Sequence, residues 1–243
     1  MNKLLKPISA MAASALLLGT SIASSVIAWG DSAGGRKTYT CTTNADGTCT
    51  LSADPGITNN PNIGDERNFV GARLASTGNN GAKNVWNANE ITAVDGETYI
   101  VRLYVHNNSP KGTKAIAKDV TTYFSMPTVT GTSLSIQGKI NSSNANPTTY
   151  WDDVVFKSSN GKSFYLDYIE GSALLENNGI GANGGLKLSD NIITKNGVKI
   201  GYDSLNGQIP GCFNYAAYIT IKVKAVYTDQ TYKVEKTVRK SGD

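Results

Sequence analysis

Two runs of alternating apolar and polar residues, separated by a turn-forming insert, dominate the middle of this chain. In the first, Tyr99, Val101, Leu103 and Val105 fall on one face of an extended backbone, and Arg102, Tyr104 and His106 fall on the other. That pattern predicts a half-buried strand over 99–107. Residues 107–112, Asn-Asn-Ser-Pro-Lys-Gly, supply turn geometry, and Ile116, Val120, Phe124 and Met126 then share a parity over 115–126. The last long alternation, 215–227, sets Ile219, Ile221, Val223 and Ala225 on a core face and Tyr218, Thr220, Lys222 and Lys224 on a wet one. Further strands are expected at 67–75, 133–140, 152–157, 163–168, 172–176, 192–194 and 198–202. Spacings of about ten residues with turn signals between them predict a sandwich. Asn- and Gly-rich stretches at 141–149, 177–185 and 204–210 are the expected loops, where binding residues concentrate.

Helices have little to draw on. Beyond the first 28 residues no ten-residue window keeps apolar residues at i, i+3, i+4 and i+7; 118–123 comes nearest, and its β-branched content favours a strand. The abundance of Asn, Thr, Ser and Gly fits strands and turns.

The two runs also form a motif. An Asp95-Gly96-Glu97 turn precedes a strand ending in Asn107-Asn108, then a small-residue linker, Ala117-Lys118-Asp119-Val120, and a strand closing on Pro127. This order resembles the conserved repeat domain of bacterial surface proteins, a family of generally unassigned function. The resemblance implies an immunoglobulin-like antiparallel β-sandwich, often repeated in tandem between a secretion signal and a cell-envelope anchor. Gly64-Asp65-Glu66-Arg67-Asn68-Phe69-Val70, Tyr150-Trp151-Asp152-Asp153-Val154 and Ile209-Pro210-Gly211-Cys212-Phe213 look like motifs of one branch of such secreted ectodomains.

The termini supply an address. Residues 1–28 read as a signal peptide: Lys3 and Lys6 precede an uncharged stretch and small residues, with cleavage expected after Ala28 or, as second choice, Ala23. An uncleaved signal anchor is the alternative, since 7–30 carries no charge. The expected localisation is secreted, extracellular or cell-surface. Residues 29–62 form an N-terminal extension, 63–230 the sandwich, and 231–243 a Lys-rich strand or linker towards a following domain, with a free tail as the alternative. Within the extension, Thr and apolar residues alternate about Asp46-Gly47, which predicts a hairpin flanked by Cys41 and Cys49. In an oxidising compartment these two form the expected disulfide, worth roughly 2–3 kcal/mol for so short a loop. Cys212 is left over, either as a buried apolar thiol or as a partner for the hairpin or another chain.

Charge and motifs exclude several functions. The formal net charge is +4, and Lys and Arg cluster only over 233–240, so no nucleic-acid partner is expected. His106 is the only histidine, and no zinc, nucleophile-elbow or phosphate-loop motif is present. The adjacent carboxylates Asp65 with Glu66 and Asp152 with Asp153 point to opposite faces of a strand, so neither pair alone has the facing geometry of a glycosidase. Drawn from separate loops, the four are candidates for a Ca²⁺ site; otherwise they are solvated turn carboxylates, with a salt bridge to Arg67 as the local option. Trp151 is expected as a core anchor and Trp86 as the candidate exposed ligand contact. The resulting expectation is a non-catalytic structural or adhesive module, with no resident cofactor. Its partner is a protein, a cell-envelope glycan or copies of itself, and membrane contact comes only through the signal or a C-terminal anchor. The alternative is a secreted carbohydrate-binding or carbohydrate-active protein with Trp86, Trp151 and the paired carboxylates at its site.

Overall fold

The computed structural model describes residues 60–77, 86, 89–109 and 112–228. The expected signal peptide, the hairpin with Cys41 and Cys49, and the 231–243 strand lie outside them. The described residues are all-β, with three short 3₁₀ turns and no α-helix.

Thirteen strands form three sheets among these residues. The first contains β1 (Val70–Leu74), β3 (Thr98–Val105), β13 (Ala217–Tyr227), β9 (Leu174–Glu176) and β10 (Leu186–Lys187) in that order. A further strand, β8 (Phe164–Tyr168), pairs with the C-terminal half of β13, beyond the end of β9. The second sheet runs β11 (Val198–Lys199), β5 (Thr121–Ser125), β6 (Ser133–Asn141), β7 (Thr149–Ser158) and β2 (Glu90–Ala93). A two-stranded ribbon of β4 (Ile116–Ala117) and β12 (Ile209–Pro210) completes the set. All pairs are antiparallel except β2 with β7, which is parallel and departs from the purely antiparallel expectation.

The large sheets meet face to face. Alternate residues of β6, Leu134, Ile136, Gly138 and Ile140, and of β7, Tyr150, Val154 and Phe156, turn inward against Val101, Leu103 and Val105 of β3 and Ile219, Ile221 and Val223 of β13. Burying a side chain of this kind stabilises by about 1.5–3 kcal/mol. Tyr99 joins the two layers: its ring meets Phe156 edge-on at 5.3 Å, while its hydroxyl donates to the Thr92 carbonyl (2.9 Å) and accepts from the Val94 N–H (2.8 Å). Tyr99→Phe keeps the ring contact and loses both bonds. It should lower unfolding free energy by about 1–2 kcal/mol in urea titrations, with the slope unchanged.

Several expectations need correction. The first alternating run is buried on both faces: Ile100, Arg102, Tyr104 and His106 are 9% exposed or less, and Trp86, Phe213 and the turn carrying Asn60 and Glu66 pack on the outer face of β3. The second run is two strands rather than one. Asp119 adopts φ 51°, which breaks the pleat and flips parity, so Ala115 and Ala117 are buried, Ile116 is 36% exposed, and Val120 and Phe124 return to the core. At 192–194 the chain forms a 3₁₀ turn, Asp190–Ile193, because Ser189 caps it through its hydroxyl on the Asn191 N–H (3.2 Å). Ile192 is buried nonetheless. Cys212 is exposed, not a buried thiol; its backbone takes φ 119° as the chain enters the turn Phe213–Tyr215. Trp151 is half-buried on the outer face of β7, opposite Lys139, rather than in the core. The end of β13 matches its pattern, with Lys222 and Lys224 exposed, whereas Tyr218 and Thr220 near its start are covered.

Candidate functional site

On the outer face of the first sheet, strand register brings unlike residues into line. Arg102 of β3 stands between Gly71 of β1 and Thr220 of β13, and one step along Tyr104 pairs with Tyr218, which pairs with Glu176 of β9. Arg102 and Thr220 both line a hollow on this face. Loop residues rise around it to make a cleft of about 460 Å³, within the ordinary range for ligand sites. Its walls include Trp86, Phe213 and Tyr218, the Asn side chains 62, 177, 178 and 214, and Glu176.

The walls are held by the chain's own hydrogen bonds. Asn177 accepts from the Gly179 and Gly181 N–H groups (3.0 and 2.8 Å) and donates to the Gly201 carbonyl (3.1 Å). Asn178 donates to the Asn214 carbonyl (3.0 Å), tying the two loops that form opposite sides of the cleft. Gly181 is required by close approach, since a Cβ there would lie 2.4 Å from the Leu175 carbonyl oxygen. The loop expected at 177–185 is therefore a fixed wall.

Arg102 forms the floor. It is 3% exposed, and among the described residues its Nε has no hydrogen-bond partner and no carboxylate is among the groups that shift it; those that favour its charge are Tyr218 and Tyr104. Burial pushes its guanidinium down to about 10, still far above neutral pH, so it carries a full charge. Trp86 lies over it, ring centroid 4.3 Å from the guanidinium carbon, and Arg73 approaches the same ring at 5.2 Å. Arg73 differs from Arg102 in donating to the Leu74 carbonyl (3.0 Å) and the Thr77 carbonyl.

Beside the cleft sits a buried polar cluster. Glu66, fully enclosed, accepts from Asn60 Nδ2 (2.6 Å), the Tyr104 hydroxyl (3.2 Å) and Asn108 Nδ2 (2.9 Å), and lies 3.0 Å from His106 Nδ1. Burial opposes its charge, but the His106 hydrogen bond and charge, with the Asn60 and Asn108 amides, more than offset this and hold its carboxyl below the ordinary value. The His106 ring stacks on Phe213 at 4.3 Å, and Phe213, 52% exposed, also lines the cleft. Asn62 binds the Tyr218 hydroxyl (3.2 Å), so the Asn60 turn supports the cleft from below.

The four carboxylates predicted as a Ca²⁺ set go to four separate places. Asp65 forms an ion pair with Arg67, the local option of the sequence; Glu66 faces His106; Asp152 accepts the Val70 N–H between the sheets (2.7 Å); Asp153 accepts from Ser135 (2.7 Å). Among the described residues no three His, Cys, Asp or Glu side chains converge as a metal set. Trp86, expected to be exposed, is half-buried over Arg102 and lines the cleft, whereas Trp151 stands on the other sheet. Arg102 escapes the alternation, which assigns it to a wet face; the apolar Ile100 and Tyr104 on that same face are the signal that it is covered. No protein-family model matches this chain, and no curated protein or solved structure matches it.

Proposed function

We propose that this chain is a secreted or cell-surface, non-catalytic binding module, an immunoglobulin-like scaffold that holds a cell-envelope glycan in the cleft above Arg102. One observation carries the reading: three aromatic side chains and the Asn side chains 62, 178 and 214 line a pre-formed cleft whose wall Asn177 locks. Aromatic faces stack on the apolar faces of sugar rings, and amides pair with hydroxyls as donor and acceptor. The locked loops favour binding, because little ordering entropy is lost on association. The leader-like 1–28 segment and the resemblance of 94–127 to surface repeat domains support the cell-surface placement. Cleavage chemistry has less support, since the carboxylates are engaged in separate places and His106 faces Glu66.

The test is saturable binding to purified cell wall and a glycan array. Trp86→Ala should weaken binding by tenfold or more while leaving the melting temperature within a few degrees, as Trp86 is only half-buried. Absence of binding to any glycan, together with concentration-dependent self-assembly, would replace this reading with the purely structural one.

A further inference from the structure

A buried arginine without a hydrogen-bond partner is costly. The Arg102 Nε, removed from water with no hydrogen-bond partner among the described residues, forfeits its solvation, and an apolar residue of similar volume is often as stable or more so. Chains that keep such a group at a cleft tend to keep it for a ligand. Its surroundings say which ligand. Thr220 lines the cleft beside the guanidinium, Trp86 lies over it, and its Nε carries an N–H with no acceptor among the described residues. A planar fork presented this way matches a carboxylate bidentately. Glu176 and the Asn side chains on the wall suit hydroxyl groups instead, so the cleft pairs one cationic floor with a hydroxyl-binding rim.

We propose, resting on the glycan reading above, that the ligand is an acidic sugar whose carboxylate pairs with Arg102 while its ring lies against Trp86 and its hydroxyls meet the Asn and Glu176 wall. A protein chain is disfavoured as occupant because the rim offers hydroxyl partners, not a strand edge.

The test uses a short oligomer of galacturonic acid and its methyl-esterified counterpart, titrated calorimetrically against the whole secreted chain. The native protein should bind the acid at least tenfold more tightly than the ester. Arg102→Met should abolish that preference with an unchanged or higher melting temperature, the opposite of what a structural arginine would give. Trp86→Ala should weaken both ligands. If Arg102→Met does not fold, Arg102→Lys replaces it, with an expected loss of at least threefold in preference because the planar fork is gone. Equal binding of acid and ester by the native protein, or an undiminished preference in the Arg102 variant, overturns the acidic-sugar inference and leaves the glycan reading standing. Failure of the native protein to bind either oligomer overturns the acidic-sugar inference, and failure to bind any glycan on the array as well overturns both.

Discussion

Glu66→Ala should cost the fold several kcal/mol, because it leaves a set of buried donors without an acceptor at about 1–3 kcal/mol each. The carboxylate collects two amides, a phenol and an imidazole from two parts of the chain, and of these Asn60, Tyr104 and His106 are buried and cannot turn to water when it goes. Glu66→Gln keeps the volume and one acceptor, so it should lose less. It also isolates the pH dependence. Because the folded-state value lies below the ordinary one of about 4.5, the unfolded chain binds the proton first as pH falls. The stabilisation is therefore complete above the ordinary carboxylate range and disappears as pH drops through the folded value. Urea midpoints measured from pH 7 to pH 3 should converge between native protein and Glu66→Gln at the acid end; parallel curves would remove Glu66 from the account.

Gly138→Val should be nearly as damaging, towards the upper end of the about 1–3 kcal/mol that overpacking costs. A Cβ at this position would lie 2.6 Å from both Leu103 Cδ1 and Val70 Cγ2. Both neighbours are wholly buried in the layer between the sheets and have no free space into which to move. Valine in place of glycine would ordinarily favour a strand by about 0.5–1 kcal/mol, so the clash must exceed that gain. A stability loss in urea, with melting temperature falling alongside, is the expected result; a more stable Gly138→Val would mean that the sheets can separate at this point.

The alternation in 99–107 and 215–227 makes both central strands of the first sheet legible, because period-two burial leaves its mark on sequence whenever one face is core. Its limits are equally physical. Strands of two residues such as Leu186–Lys187 and Ile209–Pro210 are too short to show any period, and Glu90–Ala93 offers only two buried side chains. The kink at Asp119 depends on a positive φ that aspartate tolerates without announcing it. In the cleft, Trp86 and the 177–185 loop are readable as candidates from residue type alone. The floor is not, since Arg102 acquires its meaning from Thr220 and Tyr218, which lie far from it in sequence and meet it only through the sheet. Glu66 and His106 meet by the same route, across 40 residues.

The order of strands in the first sheet also governs how the molecule bears load. β1 and β13 both run antiparallel to β3, on its two sides, and therefore run parallel to each other. Tension applied between the start of β1 and the end of β13 pulls these strands in opposite directions along one axis. Five register pairs on one side of β3 and eight on the other are then sheared together instead of opening one at a time. A pull between these two ends would be resisted by the whole central ladder at once.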